Sequence, residues 1–197
     1  MGKPSNKVVL ITGAGSGAGR AMAVALAMRG ARIVVNDINA DLAAETAAQV
    51  TAAGGLALEY VADISKKFSV QAMFNEIEDA WGPPNILINN ARVVPQKPLL
   101  DMDEWDWRRT LDVNLTGVFI MMQVAGRVMR ARGDGLIINV IQAPEEAAGL
   151  GAYLASIAGV RALTEAARGE LADDKVSVAL VDWGGDDALE KLLQLAE

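Results

Sequence analysis

The 197 residues are 52% hydrophobic and 22% charged, which suffices for one substantial core and fits a single domain spanning residues 1–197. A formal net charge of −7 with no basic tract argues against nucleic acid and against a membrane surface as partners. Cysteine and histidine are both absent, so a disulfide framework, a thiolate nucleophile and the commonest general base are excluded, and no metal is expected.

The start, Met1 to Asn6, has no apolar signal region, and a cytoplasmic protein is the expectation. Lys7 to Ile11 is a strand-like apolar run that meets the turn Thr12-Gly13-Ala14-Gly15-Ser16-Gly17-Ala18-Gly19. A helical pattern follows from Arg20 to Arg29 and closes on Gly30. Glycines there let a diphosphate approach the backbone, and the first free N–H groups of the helix would hold its charge. Ala31 to Asn36 reads as the next parallel strand. Asp37 stands at its end, close to the ~20-residue offset of an acid that holds a ribose 2′-hydroxyl and repels a 2′-phosphate, so NAD is favoured over NADP. A tight βα turn with a capping acid in an ordinary α/β domain would use the same residues.

Asn39 to Ala53 predicts a second helix, ended by Gly54-Gly55, and Leu56 to Ala62 a third strand leading to Asp63. Phe68 to Trp81 carries one apolar face and is stopped by Gly82-Pro83-Pro84. Asn85 to Ile88 is the fourth strand, running into Asn89-Asn90-Ala91-Arg92. Past a proline-bearing loop, Asp101 with Glu104 has the form of a capping box, and an unbroken helical pattern runs from there to Gly133. The sequon Asn114-Leu115-Thr116 falls inside that helix and is discounted. Gly135 to Ile141, a helix over Tyr153 to Leu171, Val176 to Val181 and a short helix over Asp187 to Ala196 complete the chain. Near-continuously apolar strands alternating with helices predict a Rossmann-type doubly wound parallel sheet of about six strands, covered on both faces in three α/β/α layers.

Thr12-Gly13-x-x-x-Gly17-x-Gly19, Asp37, Asp63, Asn89-Asn90-Ala91, Asn114 and Tyr153-x-Ala155-Ser156 stand in the order and spacing of the short-chain dehydrogenase/reductase family, which the sequence resembles over nearly its whole length. The resemblance implies NAD(P) held by Thr12, Gly13, Gly15, Ser16, Gly17, Ala18, Gly19, Asp37, Asp63, Ile64, Asn89 and Ala91. It also implies a catalytic set of Asn, Ser, Tyr and Lys, in which the Lys lowers the pKa of the Tyr acid/base. Tyr153 and Asn114 are what remains of that set.

The departures bear on function. Ile157 stands where the family places its lysine, and a tyrosine near pKa ~10 without a cation is phenolate only about once in a thousand at neutral pH. Gln142 stands in place of the serine, Arg92 in place of the glycine of Asn-Asn-Ala-Gly, and Trp183 in place of a proline. The seventh strand and the substrate-covering helices that the family carries are not expected in this sequence. Arg92 could supply the missing charge near the phenol or be an ordinary surface arginine. Glu145 and Glu146 could be paired carboxylates or a solvated loop, and Trp105, Trp107, Phe119, Met121 and Met122 could be interface or core.

Two readings follow. In one, the chain is a degenerate, non-catalytic subunit of an NAD-dependent alcohol or hydroxyacyl-CoA dehydrogenase, joined to a catalytically complete paralogue in a hetero-oligomer through its two long helices. That design resembles the heteromeric hydroxyacyl-CoA dehydrogenases of anaerobic toluene degradation. In the other, the chain is an active NAD-dependent oxidoreductase using Tyr153 with Arg92 or Gln142; an NAD-binding sensor would use the same glycine turn. In both readings, as in a sensor, NAD is the implied cofactor, with binding weakened or lost in the first.

Overall fold

A computed structural model of the protein describes residues 6–185 and 187–197. Six parallel strands, β1 (Val8–Thr12), β2 (Arg32–Asp37), β3 (Leu56–Val61), β4 (Ile86–Asn89), β5 (Gly135–Ile141) and β6 (Val176–Asp182), form one sheet in the order β3-β2-β1-β4-β5-β6. Helices α1 (Gly17–Ala27), α2 (Ala40–Ala52), α3 (Lys67–Trp81), α4 (Glu104–Leu111), α5 (Val118–Arg132), α6 (Gly151–Leu171) and α7 (Ala188–Ala196) cover its two faces. Strand order reverses between β1 and β4, and such a reversal opens a crevice at the carboxyl ends of the strands.

The apolar runs of the strands feed two cores because successive side chains point to opposite faces. Val8, Leu10, Val34, Leu87 and Ile137 pack on one side with α3, α5 and α6. Val9, Ile11, Ile33, Val35, Ile88 and Ile138 pack on the other with α1, α2 and α7. Each such side chain fully buried contributes about 1.5–3 kcal/mol. The outer strand β3 departs from the expectation of strands covered on both faces: Leu56 and Val61 are 60% and 50% exposed. It is one of the sheet's two edges, paired only with β2.

The N-cap ahead of α4 is Asp103 rather than Asp101, its carboxylate accepting from the Asp106 N–H at 2.8 Å. The expected unbroken helix from there to Gly133 is also interrupted. Between α4 and α5, Asp112–Gly117 forms a π-helical turn, a wider turn that often accompanies functional positions. It buries Asn114, which accounts for setting the sequon aside. Among the described residues no helix is long and apolar enough to cross a membrane.

Candidate functional site

The glycine turn lies at the crevice between β1 and β4, and its side chains mostly hold it there. Buried Thr12 accepts from the N–H groups of Asn90 and Ala91 through its hydroxyl, at 3.0 and 3.1 Å. Asn90 in turn donates to the carbonyls of Thr12 and Gly13, both at 3.0 Å. A Cβ on Gly13 would sit 2.6 Å from the Ala91 Cα, and one on Gly19 would sit 2.3 Å from the Gly13 carbonyl oxygen. These two glycines let the turn pass against β4. Gly17 differs, with φ +50° and nothing within 4 Å of the place a Cβ would take, so its side toward the groove is left open. Ser16 caps α1 with no side-chain hydrogen bond, leaving the helix N-terminus for an anion. Arg20 braces the turn from behind, donating from Nε to the Gly15 carbonyl at 3.1 Å and pairing with Glu45 at 2.9 Å.

Asp37 leaves the end of β2 toward the same turn. One carboxylate oxygen accepts from the Gly15 N–H at 2.9 Å and the other from the Asn39 N–H at 3.0 Å, which fixes the group while leaving lone pairs on both oxygens. Asp63 bonds the Ser65 N–H at 2.9 Å after β3. Together these elements enclose a groove of about 670 Å³. Eight of the expected cofactor residues line it: Gly13, Ser16, Gly17, Ala18, Asp37, Asp63, Ile64 and Ala91. Thr12, Gly15, Gly19 and Asn89 stand outside that lining. The first three shape the turn, whereas Asn89 donates from its amide to Asn139 at 2.8 Å, and Asn139 donates to Thr164 at 2.8 Å, a buried chain tying β4, β5 and α6. The open side of Gly17, the free helix start and the fixed Asp37 carboxylate fit the adenosine and diphosphate half of a nicotinamide dinucleotide.

The groove has four cations in its wall, Arg92 beside the Asn-Asn-Ala run and three that no motif announced, Lys66, Arg108 and Arg109. They come from three separate stretches of chain, so only the fold brings them together. Arg109 lies over the Trp105 ring, 5.1 Å from its centroid, and Arg108 is paired with Glu104 at 2.6 Å.

Beyond Arg92 the remnants of the catalytic set surround a much smaller space. Arg92, Asn114, Tyr153 and Ile157 line a cavity of about 20 Å³ together with Asn89 and apolar neighbours. Asn114 holds the strand-like segment after Arg92, accepting from the Val93 N–H and donating to the Val93 carbonyl, both at 2.8 Å. Its amide also donates to Ser156 at 3.2 Å. The Tyr153 hydroxyl donates to the main-chain carbonyl of Gln142 at 2.8 Å, and the residue is 4% exposed. Burial pushes the phenol above its ordinary pKa, and the Arg92 charge pulls it only part of the way back. Ile157 is 9% exposed and packs in the core. Arg92 reaches the side chain of Gln142, Nη2 to Oε1 at 2.6 Å. Gln142 thus links Arg92, through its side chain, to Tyr153, through its main-chain carbonyl.

The open alternatives resolve unevenly. Glu145 and Glu146 are exposed in the loop before α6, as a solvated loop requires. Met121 and Met122 are core, whereas Trp105, Trp107 and Phe119 are 65%, 38% and 45% exposed. Trp183 packs partly buried against the core on the α7 side, its N–H bonded to the Ile141 carbonyl at 2.7 Å.

Comparison with known proteins gives a concordant picture. Residues 7–187 match the family described as short chain dehydrogenase. The chain is 37% identical over 180 residues to the (2S)-[(R)-hydroxy(phenyl)methyl]succinyl-CoA dehydrogenase subunit BbsD of Thauera aromatica, covering 91% of this chain and 73% of that one. It is 37% identical over 186 residues to the short chain dehydrogenase/reductase astE of Aspergillus oryzae, covering 91% and 70%. Among solved structures, a metagenomic short-chain oxidoreductase in complex with NADP superposes with a TM-score of 0.93 at 30% identity, covering 98% of this chain and 91% of that one. An NAD+-bound xylitol dehydrogenase superposes at 0.88 and 29% identity, covering 98% and 76%.

Proposed function

The chain belongs to the short-chain dehydrogenase family, and we propose that within it this protein is a nucleotide-binding subunit without its own proton-transfer group, supporting a catalytically complete paralogue in an NAD-dependent alcohol or hydroxyacyl-CoA dehydrogenase. One observation carries the reading. The Tyr153 hydroxyl, the only acid/base left of the family's set, is spent on the Gln142 carbonyl, its pKa is raised, and Ile157 takes the place of the cation that would lower it. A general base must hold its proton loosely near working pH, and this phenol holds it more tightly than a free tyrosine does.

The nicotinamide ring supplies the hydride chemistry in such enzymes, and the protein supplies position and charge. In this chain Asp37 would hold ribose hydroxyls, the start of α1 would take the diphosphate, and Asn114 keeps the segment after Arg92 in place. That one of the relatives is described as a subunit of a (2S)-[(R)-hydroxy(phenyl)methyl]succinyl-CoA dehydrogenase supports a partnered role. A second reading, an active oxidoreductase, has one observation in its favour: Arg92 does lower the Tyr153 pKa, though not to its ordinary value.

One experiment separates them. NADH formation from a panel of secondary alcohols and hydroxyacyl-CoA thioesters is measured with the isolated chain and with the chain co-purified with a paralogue that carries the full Ser-Tyr-Lys set. The subunit reading expects turnover only in the complex and unchanged by Tyr153→Phe. Turnover by the isolated chain that disappears in Tyr153→Phe would establish the second reading instead.

A further inference from the structure

The groove and the small cavity are unequal parts of one binding surface. A dinucleotide laid across the glycine turn extends two ways: toward Asp37 at the end of β2, and toward the ends of β4 and β5 on the far side of the strand reversal. The first direction is open, part of a groove of about 670 Å³ that reaches from Asp37 across the turn as far as Arg92 and Val93. The second ends at Arg92, Gln142 and Tyr153, behind which only about 20 Å³ remains. That is room for about one water molecule, not for a ring and a ribose.

Arg92 is the closing element. It follows directly on Ala91, the residue against which Gly13 is packed, so it leaves the chain at the end of the diphosphate seat. Its Nη2 is fastened to Gln142 at 2.6 Å, joining the loops after β4 and β5. Its Nη1 is buried with no hydrogen-bond partner, and among the described residues no carboxylate lies within ion-pair distance of the guanidinium. An unneutralised, partly unbonded guanidinium at the closed end of a phosphate seat calls for a phosphate charge. Of the remaining cations of the wall, Arg108 is paired with Glu104, while Lys66 and Arg109 share it with the carboxylates of Asp37, Asp63 and Asp112, so the demand rests on Arg92.

We propose that this groove takes an adenosine nucleotide ending in a phosphate, of the ADP class, in preference to a full dinucleotide, with Arg92 facing the terminal phosphate. The terminal phosphate of ADP carries charge that the diester linkage of NAD lacks, and a guanidinium pairs well with phosphate oxygens. The proposal deepens the reading of the chain as a subunit without hydride chemistry, since such a subunit makes no use of the nicotinamide half.

The test is calorimetric titration of the full chain with ADP, adenosine and NAD at low and high salt, repeated with Arg92→Gly and Arg92→Lys. ADP is expected to bind as tightly as NAD or more tightly, with an affinity that falls as salt rises, and adenosine to bind much more weakly. Arg92→Gly should shift the ADP-to-NAD preference by about tenfold toward NAD, as removal of one charged phosphate contact implies, while Arg92→Lys shifts it less. NAD binding tenfold tighter than ADP in the wild type would overturn the proposal, and so would no binding of any of the three. The first of those results leaves the subunit reading standing; the second removes its nucleotide site as well, whereas its lack of proton-transfer chemistry fails only if the isolated chain turns over substrate through Tyr153.

Discussion

Arg92 and Gln142 are bonded side chain to side chain across 2.6 Å, joining the first residues beyond the Asn-Asn-Ala run and beyond β5. The residue expected at the family's glycine position therefore holds the one expected at its serine position. The two substitutions act as one clasp, and Tyr153 closes it from below by bonding the Gln142 carbonyl.

Tyr153→Phe removes the hydroxyl from that carbonyl and should cost about 1 kcal/mol of stability at neutral pH, measured by urea denaturation. The raised pKa adds a pH signature. A group whose folded pKa lies above its unfolded value near ~10 stabilises the fold below that pH and ceases to do so as pH rises through the folded value. The wild-type chain should therefore lose stability between pH 9 and pH 11 more steeply than Tyr153→Phe does. Equal slopes would show that the buried phenol does not titrate with folding.

Ile157→Lys puts an ammonium into the packed core beside a cavity too small to hydrate it. A destabilisation of about 2–4 kcal/mol is expected, read as a fall in the thermal midpoint. Adding Gln142→Ser should not restore turnover to the isolated chain while Arg92 still closes that side, and only the triple change with Arg92→Gly should yield measurable NADH.

Asp37→Ala deletes the acceptor of the Gly15 and Asn39 N–H groups. Calorimetry should show adenine nucleotide affinity reduced by about tenfold or more, with about 1 kcal/mol lost from the fold. In the wild type the same carboxylate should disfavour NADP against NAD by a similar factor.

Gly17→Ala and Gly19→Ala separate ligand space from folding space. At Gly19 the new methyl would meet the Gly13 carbonyl and the Asn90 amide, neither of which can give way, so the variant should express as unfolded material. At Gly17 the methyl meets nothing and the strain of φ +50° costs about 1–2 kcal/mol, so the variant should fold but bind nucleotide poorly. Circular dichroism with calorimetry distinguishes the two outcomes.

Phe119→Asp tests the partnered role. Phe119 is 45% exposed on α5, one of the two helices expected to carry the partner, and a carboxylate there would oppose an apolar partner face. Size-exclusion chromatography of the co-expressed pair should show the complex lost and the isolated chain unchanged in its thermal midpoint.

Much of this was legible in the sequence because it is local. The strand runs, the glycine turn and Asp37 announce themselves within short windows, and Ile157, Gln142 and Arg92 were visible as substitutions at fixed spacing. What a window could not convey was which side of the wall a residue occupies. Thr12, Gly15 and Gly19 belong to the turn but build its back, and Asn89 spends its amide on Asn139. The clasp between Arg92 and Gln142 spans 50 residues of sequence, and the cations Lys66, Arg108 and Arg109 meet only because α3 and α4 begin near the same crevice. Asp101 and Asp103 are equally good caps on paper, and geometry chose the second.

The π-helical turn at Asp112–Gly117 has a consequence for how the chain can vary in length. A turn closed by i→i+5 bonds takes up about one residue more than an α turn, and in a uniform helix that residue would rotate everything after it by roughly 100°. The wide turn works as a slip joint: it absorbs the surplus so that Met121, Met122 and Met129 still meet the sheet while Trp105 and Phe119 stay outside. Loss of a single residue there, Asn114 excepted, would simply tighten the turn to α, whereas the same loss one turn later would wind the core side of α5 out into water.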